Sequence, residues 1–146
     1  MLEIGRRFGL EGWVLYPTRD EIVTAFAIHR SRLAEFFRVP TPAWETTKWT
    51  ADKRNTYRLA GDLGIPTPRT WYPGSVGDLD EIDAEFPLVL KPAIKEHFIY
   101  ATKAKAWRVD TRTELIEKFL EGTAITGDDE MMVQELVPGD GRHQFG

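Results

Sequence analysis

A lysine follows the most hydrophobic run of the sequence. Lys91 comes directly after Phe86-Pro87-Leu88-Val89-Leu90 and before Pro92. A run this apolar predicts a strand with little access to water, where an ammonium group without a partner is strongly disfavoured. Pro92 keeps Lys91 extended and so fixes its direction. Two interpretations stay open: the side chain reaches solvent along its apolar stem, or it binds a phosphate.

A second lysine lies where a helix is predicted to begin. Thr50 is a candidate cap for a helix over residues 51–63, and Lys53 falls in its first turn. The positive end of the helix dipole disfavours a cation there by a few tenths of a kcal/mol, so we expect a negative group nearby. The neighbouring Asp52 is one candidate, and a bound phosphate is the other.

Polar side chains interrupt the last predicted strand, residues 131–137. Gln134 and Glu135 stand within an otherwise apolar run, and Pro138 has no amide for a ladder, so strand pairing must end there. Where a strand leaves its sheet, its backbone offers a carbonyl and an amide to the edge of an adenine ring. An ordinary edge strand is the alternative interpretation.

A basic connection, residues 93–105, joins two predicted strands. It contains three lysines and two aromatic residues, Lys95, Phe98, Tyr100, Lys103 and Lys105. Such a connection either folds over the phosphates of a ligand or forms an exposed hairpin.

The composition excludes several classes of function. With 19 basic and 23 acidic residues the formal net charge is −4, which argues against a nucleic-acid or anionic-membrane surface. The absence of cysteine excludes disulfides and thiol nucleophiles and is typical of a reducing compartment. The three histidines lack the spacing of a metal site, and no segment resembles a signal peptide or membrane span. We therefore expect a cytoplasmic protein.

A mixed set of elements must position these residues. Thr-x-x-Glu capping boxes at Thr18 and Thr111 and helical apolar spacing predict one helix over residues 19–36 and another from Thr111 to Gly122. The other predicted elements are a helical tail at 3–7, a buried strand at 13–16, a helical turn at 44–49, a short helix at 75–85, and strands at 69–72, 86–91 and 107–109. Helices dominate the first part and strands the second, so we expect an α+β fold with a boundary near residue 45.

The ordered set of motifs resembles the ATP-grasp superfamily of ATP-dependent carboxylate ligases, especially its predicted carboligase branch. The similarity runs through Asp52-Lys53 and the helix after it, Ile65-Pro66-Thr67-Pro68, the segment 86–92, and Val133-Gln134-Glu135-Leu136-Val137-Pro138-Gly139. Each motif alone is weak, whereas the ordered set is fairly specific. The resemblance implies that residues 1–45 are the C-terminal part of a preceding α/β domain. Residues 46–146 would be the smaller ATP-grasp lobe up to the hinge, an antiparallel sheet with helices.

The same resemblance implies a ligand and a reaction. Two lysines would bind the ATP phosphates, backbone groups of the hinge would bind adenine, and a glutamine beyond the hinge would meet the ribose. In that order, the implied ATP-binding residues are Lys53, Lys91, Gln134, Glu135, Leu136, Val137 and Gln144. In the full-length enzyme a small-molecule carboxylate would attack the γ-phosphate, and an amine or similar nucleophile would open the acylphosphate.

Two departures from the family pattern affect these expectations. Residues 93–104 contain no glycine, whereas many relatives have a glycine-rich loop after the strand lysine. The family binds Mg²⁺ in a second lobe that we expect beyond Gly146, so we assign no catalytic or metal residue and expect this fragment alone to be inactive. A non-catalytic nucleotide-binding or regulatory module and a small α+β interaction domain stay open as alternatives, as does a homodimer.

Overall fold

The computed structural model describes residues 1–127 and 130–139. Its contacts divide the chain into two compact units, Met1–Leu59 and Ala60–Gly146. The sequence places its domain boundary earlier, after residue 45, and the assignment of the first part to a preceding α/β domain stays a prediction. No helix in the described ranges is long and apolar enough to cross a membrane.

Helices form the first unit. They are α1 (Leu2–Phe8), α2 (Asp20–Ile28), α3 (Arg30–Ala34), α4 (Trp44–Ala51) and the greater part of α5 (Lys53–Asp62). The helical tail predicted near the N-terminus is confirmed as α1, which ends at Gly9 with a left-handed φ of 63°. The single helix predicted over residues 19–36 is wrong in one respect, because the chain leaves the helical conformation at His29.

A small apolar core holds the first unit together. Its buried members are Phe26, Leu33, Phe37 and Val39. Helix α1 approaches this core closely, because a Cβ atom placed on Gly5 would lie 2.5 Å from the ring of Phe37. Glycine at this position therefore permits the contact.

The buried strand predicted over residues 13–16 does not form. Val14 makes an isolated parallel bridge with Arg38, and residues 13–16 form no strand beyond this single bridge. Trp13 and Tyr16 are 62% and 76% exposed. The prediction is wrong because this extended segment has a pairing partner along one edge only, so its aromatic side chains stay uncovered.

The capping box predicted at Thr18 is also wrong. Helix α2 has Arg19 as its N-terminal cap, in an extended conformation and without a side-chain capping bond. The carboxylate of Glu21 instead pairs with the guanidinium of Arg19 at 2.7 Å.

Four antiparallel strands form the sheet of the second unit. They are β1 (Thr70–Trp71), β2 (Leu88–Pro92), β3 (Trp107–Val109) and β4 (Met131–Glu135), in the spatial order β1-β4-β2-β3. Strand β4 is central, so the edge-strand interpretation of this segment is wrong. The α+β class and the antiparallel sheet are confirmed.

One face of the sheet is covered and carries the main core. A 3₁₀ helix (Gly77–Glu81), α6 (Glu96–Thr102) and α7 (Arg112–Thr126) contribute to this core. The nine buried members of the cluster are Leu79, Leu88, Leu90, Phe98, Val109, Leu115, Phe119, Met131 and Val133.

Helix α6 replaces the loop predicted over residues 93–105. Phe98 on this helix is fully buried, and the centroid of its ring lies 4.5 Å from that of Trp107 on β3. The exposed hairpin is wrong, because Phe98 packs into the core and holds the connection against the sheet, and a connection that folds over the phosphates of a ligand stays a prediction.

Helix α7 begins as predicted and ends later than predicted. The hydroxyl of Thr111 accepts a hydrogen bond from the amide of Glu114 at 3.2 Å, which confirms the cap. The helix runs past Gly122 to Thr126, because Gly122 serves close packing rather than termination. A Cβ atom there would lie 2.6 Å from Cε of Met131 on β4.

Candidate functional site

The alternation of β2 separates its apolar residues from Lys91. Successive side chains of a strand point to opposite faces, and the burial of β2 follows that period. Leu88 and Leu90 lie on the core face and are 1% and 0% exposed. Val89 and Lys91 lie on the opposite face and are half-buried. Lys91 therefore continues an apolar strand, while its side chain stays outside the apolar core.

The register of the sheet gathers other polar residues on the face that carries Lys91. Val89 is paired with Gln134 of β4, and Gln134 is paired with Thr70 of β1. Paired residues in an antiparallel sheet share a face, so these side chains are neighbours of Lys91. We call this surface the polar face of the sheet.

A chain of hydrogen bonds crosses three strands on the polar face. Nζ of Lys91 donates to Oε1 of Gln134 at 2.7 Å, and Nε2 of Gln134 donates to Oγ1 of Thr70 at 2.7 Å. The Thr70 hydroxyl donates in turn to the carbonyl of Pro68 at 2.9 Å. Gln134 is only 7% exposed, so these bonds satisfy an amide with little access to water. The cation of Lys91 is thereby held in a defined position.

At its C-terminal end, β4 leaves the sheet immediately after Glu135. The amide of Glu135 donates to the carbonyl of Arg69 at 3.0 Å, and its carboxylate accepts from the Arg69 amide at 2.9 Å. Leu136 and Val137 follow outside the strand, and they are 38% and 61% exposed. Pairing therefore ends two residues before Val137, earlier than Pro138 alone requires.

Lys53 is the first residue of α5, in the first unit. Helix α4 stops just before it, because Asp52 adopts an extended conformation with φ −119° and ψ 120°. Side chains from the first turn of α5 bond the last carbonyls of α4, with Asn55 Nδ2 donating to Lys48 O at 3.2 Å. Thr50 does not cap α5, since its hydroxyl donates to the carbonyl of Thr47 at 3.0 Å.

The carboxylate of Asp52 is bound by Arg54. It accepts the Arg54 amide at 2.8 Å and the guanidinium at 3.0 and 2.7 Å. Burial alone raises the pKa of Asp52, but the hydrogen bonds from the side chain and amide of Arg54, with the positive charges of Arg54 and Arg58, lower that pKa below its ordinary value. The carboxylate that the sequence offers as a neighbour for Lys53 is therefore paired with Arg54.

The structure brings some of the predicted site residues together. Lys91 and Gln134 are in direct contact, and Glu135, Leu136 and Val137 continue from Gln134 along the chain. Lys53 belongs to the other unit. Gln144 lies outside the described residues. Within residues 1–127 and 130–139, no group of three or more His, Asp or Glu side chains is placed to hold a metal ion.

Sequence reasoning missed Thr70. Its hydroxyl links Gln134 to the carbonyl of Pro68, and it lies 64 positions before its glutamine partner. The period-2 pattern of residues 69–72 places Thr70 and Trp71 on opposite faces, but only the register of β1 with β4 identifies the partner.

Solved structures of ATP-grasp ligases match this chain over part of their length. Phosphoribosylamine–glycine ligase from Thermotoga maritima is 23% identical, with 89% of this chain and 31% of that protein covered at a TM-score of 0.60. D-Alanine–D-alanine ligase from Helicobacter pylori is 21% identical, with 75% and 34% covered at a TM-score of 0.57. Carboxyaminoimidazole ribonucleotide synthase from Aspergillus clavatus, solved with ATP, is 15% identical, with 74% and 27% covered at a TM-score of 0.53.

These likenesses concern the fold. The chain spans 27% to 34% of the length of these three proteins. Neither a protein-family model nor a curated protein sequence matches it. The resemblance to ATP-grasp ligases stated from the sequence is confirmed as a structural match to part of those proteins.

Proposed function

We propose that this chain forms the ATP-binding part of a ligase that joins a carboxylate to an amine or similar nucleophile through an acylphosphate. The observation that carries the proposal is the position of Lys91: it projects from the polar face of an ATP-grasp sheet and is held there by the amide of Gln134. A matched protein solved with ATP and two matched ligases support the nucleotide and the class of reaction.

Each candidate residue receives a role in this proposal. Lys91 and Lys53 neutralise the phosphates of ATP, which is the main contribution a protein makes to phosphoryl transfer. Gln134 positions the Lys91 ammonium. Backbone groups of Glu135, Leu136 and Val137 bind adenine. Gln144 is assigned to the ribose from the sequence resemblance alone.

The domain assignment belongs to the same proposal. Residues 1–45 are the C-terminal part of a preceding α/β domain, and residues 46–146 are the smaller ATP-grasp lobe up to its hinge. The parallel bridge between Val14 and Arg38 supports the first assignment, because parallel pairs occur mainly in α/β sheets. Mg²⁺ accompanies ATP in this reaction, and we assign it no ligand among residues 1–127 and 130–139.

Titration of ATP into the full-length protein tests the nucleotide site. We expect Lys91→Ala to weaken ATP binding at least tenfold, since a hydrogen bond between charged groups contributes about 1.5–3 kcal/mol. The matched control is Lys118→Ala, which removes the same charge from α7, a helix that contributes to the core on the other face. Equal ATP affinity in the wild type and Lys91→Ala, with both folded, would contradict the proposal.

Two further measurements distinguish the alternatives. ATP at about 100 times its dissociation constant should raise the free energy of unfolding by roughly 2.7 kcal/mol, which an interaction domain with solvated lysines would not show. A panel of carboxylates and amines should stimulate ADP release by a ligase. Tight ATP binding without stimulated ADP release would favour the non-catalytic nucleotide-binding module.

A further inference from the structure

The backbone of β4 bonds alternately to its two neighbours. On the side of β2, the carbonyl of Glu130 accepts the amide of Ala93 at 2.7 Å. On the side of β1, the amide of Glu135 donates to the carbonyl of Arg69 at 3.0 Å. The pairing of Thr70 with Gln134 places Arg69 directly opposite Glu135. Opposite residues in such a hydrogen-bonded antiparallel pair normally exchange two backbone bonds.

The side chain of Glu135 takes the second of these two bonds. The amide of Arg69 donates to Oε1 of Glu135 at 2.9 Å, and not to the Glu135 carbonyl. Among the described residues, no other hydrogen bond reaches that carbonyl. The residue thus satisfies the last donor of β1 with its carboxylate and leaves its own carbonyl available at the edge of the sheet.

Pairing stops on the β2 side for a different reason. The last pair between these strands is Leu88 with Glu135, so the next position of the register sets Pro87 against Leu136. Pro87 has no amide and donates no bond to the Leu136 carbonyl. The pairing of β4 with β1 and its pairing with β2 therefore end at the same residue, Glu135. The backbone that has no strand partner begins at the Glu135 carbonyl.

We propose that the Glu135 side chain determines the base specificity of the nucleotide site. By accepting the Arg69 amide it keeps the Glu135 carbonyl free to accept the exocyclic amine of adenine. Guanine carries an oxygen acceptor at that position, so two acceptors would face each other and GTP would be rejected. In an extended chain the amide of Val137 projects on the same edge and donates to the adenine ring nitrogen. The inference rests on the proposed function.

Two substitutions at this residue separate its acceptor from its charge. Glu135→Leu removes the acceptor, so the Arg69 amide turns to the Glu135 carbonyl and completes the backbone ladder. Glu135→Gln removes the charge but keeps an oxygen that accepts the same amide. We expect Glu135→Leu to bind ATP about tenfold more weakly with little change for GTP, and Glu135→Gln to retain the ratio of ATP to GTP affinity.

The test is a calorimetric titration of ATP and of GTP into four full-length proteins: the wild type, Glu135→Leu, Glu135→Gln and Lys91→Ala. An unchanged ATP-to-GTP ratio in Glu135→Leu would overturn the inference, and so would an equal loss of selectivity in Glu135→Gln. Lys91→Ala should weaken both triphosphates and leave their ratio unchanged. If the wild type binds neither triphosphate, the proposed function fails together with this inference. If Lys91→Ala weakens ATP while Glu135→Leu keeps the ratio, only the base-specificity role fails.

Discussion

Replacing Gln134 with glutamate tests how the polar face holds its cation. The hydrogen-bond chain on this face has a fixed direction, because the ammonium of Lys91 can only donate and the carbonyl of Pro68 can only accept. The oxygen of the Gln134 amide must therefore face Lys91, and its nitrogen must face Thr70. Gln134 itself brings no charge to this contact. Glutamate has nearly the same shape but adds a full negative charge beside the ammonium.

The size of the effect follows from the burial of the two residues. An exposed ion pair contributes up to about 1 kcal/mol, whereas breaking a buried pair costs about 3–5 kcal/mol. Lys91 is half-buried and residue 134 is 7% exposed, so we take about 2 kcal/mol as the strength that Gln134→Glu adds to the contact. An incoming phosphate must displace this carboxylate from the Lys91 ammonium or share the ammonium with it. We therefore expect the dissociation constant for ATP to be about 30-fold higher in Gln134→Glu than in the wild type.

Calorimetric titration of ATP at two salt concentrations measures the effect. The new carboxylate also repels the phosphates, and salt screens that repulsion, so the loss of affinity should shrink as salt rises. The matched control is Thr113→Glu, which adds the same charge at an exposed position in the first turn of α7. An ATP affinity in Gln134→Glu within twofold of the wild type would refute the reasoning, provided that circular dichroism shows the fold intact.

Two further predictions concern stability. Gly122→Ala should lower the free energy of unfolding by about 1 kcal/mol in urea titrations, since its Cβ would lie 2.6 Å from Cε and 3.3 Å from Cγ of the buried Met131. Gly61→Ala has no atom within 4 Å and should raise the free energy of unfolding by up to about 1 kcal/mol, because alanine favours the helix. The lowered pKa of Asp52 means that this carboxylate stabilises the fold above its ordinary pKa of 3.8 and loses that effect as the pH falls through the folded-state pKa. Asp52→Asn should therefore flatten the acid end of the stability profile, and an unchanged acid slope would contradict the role of Arg54.

Local signals predicted several elements correctly. The apolar run before Lys91 predicted a strand whose core residues are fully buried, and the lysine lies on the other face. The helix predicted over residues 51–63 forms as α5 from Lys53 to Asp62, and Gly64 follows it with a left-handed φ of 68°. The cap at Thr111 also formed. Each of these features depends on residues that lie close together in the chain, so the local sequence is enough to predict it.

Features that depend on distant contacts were not predictable in the same way. Helix α6 replaces a predicted loop because Phe98 packs against Trp107 and enters the core. Helix α7 passes Gly122 because that residue faces Met131 of β4. The partner of Gln134 on β1 follows from the strand order and register, which sequence periodicity does not determine. The candidate site was therefore predicted as a set of residues, but not as a connected arrangement.

The apolar pattern of β4 also fixes the residues assigned to ATP. Met131 and Val133 belong to the core, so the period of the strand places Gln134 on the polar face. A slip of one residue would turn the Gln134 amide into the core and separate it from Lys91 and Thr70. An amide buried there without partners would cost about 1–3 kcal/mol, in addition to the exposure of Val133. The same slip would move Glu135 away from the Arg69 amide. Core packing and the proposed phosphate and base contacts thus select one register of a single strand.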